Sequence, residues 1–357
     1  VSKVFFIKTS DGESASSLGN KAVRLIELTG FLNSVGENDF IGIKTHFGEE
    51  GNLGHIDAGI IARIAGAARQ RSKRTFVVET NTLYAGSRSN AAEHSALAER
   101  HGFTFSALGV PVIIADGLKG RNFTAVRIDG RHLKEVKIAS DVVDADILIV
   151  VSHITGHMQC GFGGAIKNIG MGCASRAGKL EQHSNVIPSI AQDKCKGCRE
   201  CAKWCPAGAV CFSGGKAHIE EKKCIGCGEC TVVCKNGAVD IKWSESVRNL
   251  QEKIAEYALG VCESTGKDKM LFINFLTHVT KDCDCMAKGE APVCKDVGIM
   301  LSCDPVALDK ASVDMITNAN KKDIFKEGYP EIDWMPQLSH GKNIGLGSMD
   351  YELESTN

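Results

Sequence analysis

The sequence predicts an α/β body, with a mostly parallel sheet and flanking helices, interrupted by a small α+β segment rich in cysteine. Three observations carry this reading. Short β-rich runs alternate with longer helical patterns in the N-terminal part, which is the rhythm of βαβ units. Nine of the 16 cysteines then crowd into residues 195–234. A second stretch of strand and helix patterns follows. The boundaries fall at residues 1–190 for the first part of the body, 191–243 for the insert and 244–357 for the second part. Two separate α/β domains flanking the insert are the competing arrangement, because neither flank alone establishes that it shares the other's sheet.

Taken in order, residues 4–8, 40–44, 75–78, 111–115 and 147–151 are apolar runs bounded by polar or glycine segments, the pattern of buried strands. Between them, residues 57–71 place Ile60, Ile61, Ile64, Ala67 and Ala68 on one helical face, and residues 90–100 are alanine-rich. Residues 123–128 and 133–138, separated by Asp129-Gly130, read as an antiparallel hairpin. After the insert come a helix over 246–259, strands at 270–275 and 297–301, and a helix over 304–317. Asp304 as N-cap and Pro305 at the first helical position mark the start of that last helix.

Composition excludes several classes. With 42 Lys+Arg against 43 Asp+Glu and no charge block, neither a nucleic-acid surface nor a polybasic membrane patch is expected. The longest apolar runs, such as 146–151 and 270–276, are strand-sized, so no membrane span is expected. The first residues lack a basic region, a long apolar stretch and a cleavage site, so no secretory signal is expected in them. Sixteen cysteines in 357 residues are too sparse for a small disulfide scaffold, and a chain of this length buries a core without staples. The thiols point instead to a reducing compartment, taken as the cytoplasm, and to metal chemistry.

The insert holds two copies of one spacing, 29 residues apart: Cys195, Cys198, Cys201 and Cys205, then Cys224, Cys227, Cys230 and Cys234. Gly197 matches Gly226, and Gly208-Ala209-Val210 matches Gly237-Ala238-Val239, which makes this an internal duplication. A C-x2-C-x2-C-x3-C run suits an iron–sulfur cube. Zinc is the competing occupant, but four thiolates suffice for one ion and the x2-x2-x3 repeat is then unexplained. A purely structural role for the clusters competes as well, since metal binding is the folding energy of many small segments. Cys211, outside both patterns, reads as a buried small hydrophobe.

Residues 153–168 are the most chemically loaded stretch, carrying His153, His157, Gly161, Gly163, Gly164 and Lys167 directly after an apolar strand. Ligands of open α/β sheets bind beyond strand carboxyl ends, where this stretch lies. The glycines let backbone approach a bound group, and a helix starting near Ala165 points N–H groups at an anion. His153 and His157 suit ligands or proton carriers, and Lys167 a charge partner or attachment point. Single histidines are more often structural; two beside four glycines and a lysine favour a site. His46 with Glu49 and Asn52, and Thr80, Asn81 and Arg88, follow other strand ends and could line the same cleft. Cys283 and Cys285, in Asp282-Cys283-Asp284-Cys285, are candidate ligands of a further metal, together with Cys294. Asp304 is an N-cap first, and Asp309, further along that helix, has no partner that the sequence names.

Residues 191–243 resemble bacterial two-cluster ferredoxins. The resemblance implies crossed ligation, with Cys195, Cys198, Cys201 and Cys234 on one [4Fe–4S] cluster and Cys224, Cys227, Cys230 and Cys205 on the other. Lys235 stands where a proline is expected, which removes no ligand. Across most of the chain, Lys44-Thr45-His46-Phe47-Gly48-Glu49, Glu79-Thr80-Asn81-Thr82-Leu83-Tyr84, Gly86-Ser87-Arg88-Ser89-Asn90, the stretch 153–168 with Gly170-Met171-Gly172-Cys173, and Ser302-Cys303-Asp304-Pro305-Val306-Ala307 resemble the domain-of-unknown-function 362 family. That resemblance implies an α/β fold and an anaerobic redox setting. A weaker one, to the lactate racemase (nickel-pincer) family, rests on His157, residues 161–164, Lys167 and His183. It implies Lys167 as the attachment point of a pincer nucleotide, His183 as a nickel ligand and His157 as a proton carrier. Asn168 follows the lysine where that family has a proline.

The leading expectation is an anaerobic iron–sulfur oxidoreductase. Electrons from a partner such as ferredoxin pass through two clusters to a cleft where His157, Lys167, His153 and His46 bind and protonate a small anionic substrate or hold a further metal. A nickel-pincer enzyme of 2-hydroxy acids and a non-catalytic electron carrier are the alternatives. No G-x-G-x-x-G fingerprint lies between a strand and a helix, so NAD is not expected. The sequence leaves flavin use open, and a homo-oligomer is compatible with it.

Overall fold

The computed structural model describes residues 1–184, 187–241 and 245–356. The strand patterns on both sides of the insert form one eight-stranded sheet in the spatial order Tyr351–Thr356, Ser2–Lys8, Gly298–Ser302, Met270–Leu276, Ile147–His153, Ile41–Lys44, Thr75–Glu79 and Val112–Ile114. Strands from both sides of the insert pair in it: Met270–Leu276 runs parallel to Ile147–His153. Among the sheet's strands, Gly298–Ser302 alone is antiparallel to its neighbours. The proposed limit of the insert at Trp243 lies outside the described residues.

The strands read as unbroken apolar runs because helices cover both sheet faces. In Ile147–His153, Leu148 and Val150 enter one apolar layer, while Ile147, Ile149 and Val151 enter the other. The first layer is closed by Val247–Thr265, Pro305–Asn320 and Ala165–Gly170, the second by Ala15–Thr29 and Ala58–Arg69. The expected helix starts are capped by side chains: Asp57, Asn90 and Asp304 each accept backbone N–H bonds. The hairpin pairs Phe123–Arg127 with Glu135–Ala139. Among the described residues, no helix is long and apolar enough to cross a membrane.

Several elements escape the periodicity, among them the helices Arg176–His183 and Met335–Asn343 and the following two elements of the main body. Ala15–Thr29 begins with Ser, Gly and Asn, poor helix formers, yet Ser14 caps it and Leu18, Ala22, Leu25 and Ile26 are buried. The edge strand Tyr351–Thr356 is mostly polar and is held by parallel pairing to Ser2–Lys8.

The short helix Ala165–Gly170 departs from expectation in its charge chemistry. Its first two N–H groups do not face a ligand: Ala165 and Ile166 donate to Asp309 Oδ1 and Oδ2 at 2.7 and 2.9 Å. Asn274 Nδ2 donates to the same carboxyl at 2.8 Å. Asp309, the residue without a partner in the sequence, is therefore the cap that seats this helix on the sheet. Burial pushes its carboxyl up to about 6, against the hydrogen bonds that favour the anion. The folded chain thus holds this proton more tightly than the unfolded one, and the residue's contribution to stability falls as pH rises from about 4 to about 6. Asp309→Asn is expected to flatten that part of the stability–pH profile, and Asp309→Ala to cost about 2–4 kcal/mol in denaturant unfolding, because buried N–H groups lose their acceptor.

Candidate functional site

Chain order reverses between Ile41–Lys44 and Ile147–His153, and a cavity of about 190 Å³ opens beyond their carboxyl ends. His46, Arg88, His153, His157, Lys167 and His183 all line it, as do Gly163, Gly164, Cys160, Cys283 and Cys285. The structure thus brings together residues from five separate stretches of sequence.

The cations at this cavity are mostly committed to protein groups. Lys44 Nζ pairs with Glu79 at 2.8 Å and donates to Asn168 Oδ1 at 2.9 Å. Lys179 Nζ donates to Thr80 Oγ1 and Ala174 O, each at 2.6 Å, and burial draws its ammonium down to about 8. Arg88 pairs with Glu49 at 3.1 Å and meets the Tyr84 hydroxyl. Lys167 differs. Among the described residues its ammonium has no hydrogen-bond or ion-pair partner, and burial lowers its pKa.

The histidines divide by what holds them. Arg88 Nη1 lies 2.7 Å from His46 Nε2; a guanidinium only donates, so that nitrogen is spent as an acceptor. Burial, then Arg88, keeps His46 neutral, and the expected role as proton carrier is replaced by a positioning one. His153 is the opposite case. Its Nδ1 is 2.9 Å from Asp284 Oδ2 and its Nε2 2.9 Å from Thr277 O, so both nitrogens donate. Burial works against the charge, but Asp284 and the two carbonyls raise the pKa, fixing an imidazolium with no lone pair for a metal. His157 Nδ1 accepts N–H bonds from Gln159 and Cys160 at 3.2 and 3.1 Å. Burial, then Lys167 and His183, keeps His157 neutral, so Nε2 carries its proton. His183 is drawn down to about 4 by burial, then by Lys167 and Lys253.

The remaining expectations are placed as follows. Gly163 and Gly164 line the cavity. Gly161 instead takes a φ of 75° and is packed by Trp334, 2.7 Å from where a Cβ would stand, so it approaches protein rather than ligand. Asn81 is turned away: its amide donates to Asp116 Oδ1 at 2.7 Å and Gly117 O at 2.8 Å. Cys283 and Cys285 are joined by a disulfide, and in that state offer no thiolate to a metal; a ring nitrogen of His157 lies within 4.8 Å of both sulfurs. Cys294 is not in that group. Cys211 is half-buried on a hairpin strand rather than in the core.

In the insert, one small cavity is lined by Cys195, Cys198, Cys201 and Cys234, and another by Cys205, Cys224, Cys227 and Cys230. Backbone N–H groups of Ala217, Ala209 and Ala238 reach Cys195, Cys205 and Cys234 at 3.4, 3.2 and 3.2 Å. Such thiol groupings suggest a metal-binding protein.

Arg176, which sequence reasoning missed, ties the two sites together. It is fully buried, donates to Thr82, Lys119 and Ser89 carbonyls, and lies 3.6 Å from Glu229 of the insert. Arg121 holds the other oxygen of Glu229 at 2.6 Å. Thr231 Oγ1 donates to Leu83 O at 3.0 Å, and Leu83 lines the main cavity. A charged residue at the start of a helical pattern gives no sign in sequence that it will be buried.

No curated protein matches the chain. Among solved structures, a protein from Thermotoga maritima is similar at a TM-score of 0.46 and 10% identity, over 87% of this chain and 60% of its own. The lactate racemase apoprotein from Thermoanaerobacterium thermosaccharolyticum is similar at a TM-score of 0.40 and 11% identity, over 76% of this chain and 50% of its own. The chain therefore spans 60% and half of the lengths of these two proteins. Residues 41–314, most of the sequence, match the family described as Domain of unknown function (DUF362), and the chain belongs to that family.

Proposed function

We propose that the chain is an iron–sulfur oxidoreductase, with two [4Fe–4S] clusters in the insert and a small-anion site in the body. The observation that carries the cluster reading is the spacing of the thiols. The eight cysteines repeat one C-x2-C-x2-C-x3-C spacing and form two fours, each lining its own small cavity; a single zinc ion needs only four thiolates and leaves that repeat unexplained. Bound there, the clusters would supply single electrons from a ferredoxin-type donor. The alanine N–H groups aimed at Cys195, Cys205 and Cys234 would stabilise thiolate charge.

The body's part is to bind and to hold protons. Among the described residues Lys167 is the cavity ammonium without a hydrogen-bond or ion-pair partner, which suits one carboxylate or phosphate of a small substrate. His157 Nε2–H and the lysine are the groups placed to donate hydrogen bonds to it. His153 and His46 keep those walls in place.

A second reading, a pincer-nucleotide enzyme of 2-hydroxy acids, is favoured by one observation: Lys167, His157 and His183 line the same cavity. Intact mass of the isolated chain separates the two. The iron–sulfur reading expects no covalent adduct on Lys167, whereas a pincer leaves one.

Anaerobic purification is expected to give about eight iron and eight sulfide per chain, and Cys227→Ser to reduce both to about four with loss of one EPR signal. A zinc-only result discards the redox reading. Lys167→Met is expected to weaken binding of a small anion by about tenfold or more, measured by calorimetry with both clusters counted intact.

A further inference from the structure

The disulfide at the cavity has no evident use as a staple. It joins residues two apart in sequence, so it closes a minimal loop and removes little entropy from the unfolded chain. Both cysteines instead line the cavity that holds Lys167 and His157. The loop that carries them is fixed from three sides. Asp284, between the cysteines, is paired with His153 at 2.9 Å. Its carbonyl accepts the Glu49 N–H at 2.9 Å, and Asn52 Nδ2 donates to Met286 O at 3.1 Å. With those anchors on backbone and on Asp284, breaking the S–S bond leaves the loop held over the cavity.

We propose that Cys283–Cys285 is a reactive disulfide that exchanges with small anionic thiols held at Lys167. This rests on the anion-site reading above and is independent of the clusters. In the exchange, a substrate thiolate attacks one cysteine sulfur, forming a mixed disulfide and breaking the Cys283–Cys285 bond. The displaced sulfur leaves as a thiolate and takes a proton from solvent. A second substrate thiolate then attacks the mixed disulfide and releases the substrate disulfide. In sum, two substrate thiols and the protein disulfide become one substrate disulfide and two cysteine thiols. Two electrons pass from substrate to protein, and the reverse sequence reduces a small disulfide. His157 serves as the donor to the thiolate: its Nδ1 is occupied by the Gln159 and Cys160 amides, which leaves Nε2 to carry the proton, and one of its ring nitrogens lies within 4.8 Å of both sulfurs. Disulfides of proteins in reducing compartments are usually of this transient, working kind.

The test follows one peptide. Trypsin releases residues 282–288, which contain Cys283 and Cys285 and no other cysteine. Native protein is incubated anaerobically with mercaptoacetate or with neutral 2-mercaptoethanol, quenched with iodoacetamide, and the alkyl groups on the peptide are counted over time. The expected result is none before treatment and two after it, with mercaptoacetate faster by about tenfold although its thiol is the less acidic. Lys167→Met is expected to abolish that preference and Lys167→Arg, which keeps the charge, to retain it. Equal rates in the wild type, or an unchanged preference in Lys167→Met, overturn the proposal. It is also overturned if the peptide is doubly alkylated from the start and one zinc ion per chain is lost in Cys283→Ser/Cys285→Ser, which makes the trio a metal site. Iron and sulfide counts on the same samples report separately on the clusters, so exchange without iron sinks only the iron–sulfur reading.

Discussion

The arrangement of both sites depends on the buried contact between Arg176 and Glu229. Arg176 spends its donors on carbonyls of two body loops, at Thr82 and Ser89 and at Lys119, and its remaining charge on a carboxylate of the insert. A buried ion pair is weak as a source of stability, because desolvation offsets much of the attraction. It is strong as a constraint, since losing either partner strands a charge. Glu229 lies between Cys227 and Cys230 in sequence, so the pair fixes where one group of four thiols stands relative to the loop that carries Leu83 and Tyr84 into the cavity. The insert is thereby docked by charge and carbonyl geometry more than by apolar area; the apolar contact beside it, Leu83, Leu180 and Ile241, is small.

The cavity follows the same logic of pairing. Glu79 answers Lys44, Glu49 answers Arg88, and Asp284 answers His153. Each acid is placed by a strand end or by a loop fixed to one. Among the described residues these pairings leave one cavity ammonium without a partner, on Lys167, and beside it His157 and His183 are held neutral by burial. A cation without a counter-ion is costly to bury, and its pKa is lowered accordingly. On the proposed reading, an anionic ligand would relieve that cost.

Legibility in the sequence followed the range of the forces involved. Strands and amphipathic helices were readable because burial imposes a local period, and the two cysteine repeats because thiols that share a metal need a fixed spacing. The helix Ala15–Thr29 was hidden by weak formers that only tertiary burial overrides. Site residues were readable as a neighbourhood, since strand ends converge, but not as roles. His46 and His153 look alike in sequence, yet one is an acceptor for a guanidinium and the other a clamped cation. Asn81 and Gly161 carry the right chemistry for a cleft and are turned into protein contacts by Asp116 and Trp334. The partners that decide these outcomes, Arg88, Asp284, Asp116 and Trp334, lie 35 to 173 residues away along the chain, where no local pattern reaches.

The sheet's topology explains why the loop 281–288 belongs to this cavity at all. Met270–Leu276 pairs in parallel with Ile147–His153, so the two strands end on the same side and their following loops meet. His153 closes the first strand and Asp284 sits in the loop after the second; their ion pair is the point at which the loops lock. Once locked, the residues on either side of Asp284 are Cys283 and Cys285, and both sulfurs must face inward or outward together with that loop. The inward choice sets them against His157, which the same strand end delivers through the hairpin Thr155–His157. One parallel strand pairing and one buried histidine–aspartate pair thus bring a sulfur-bearing loop into the cavity that Lys167 lines.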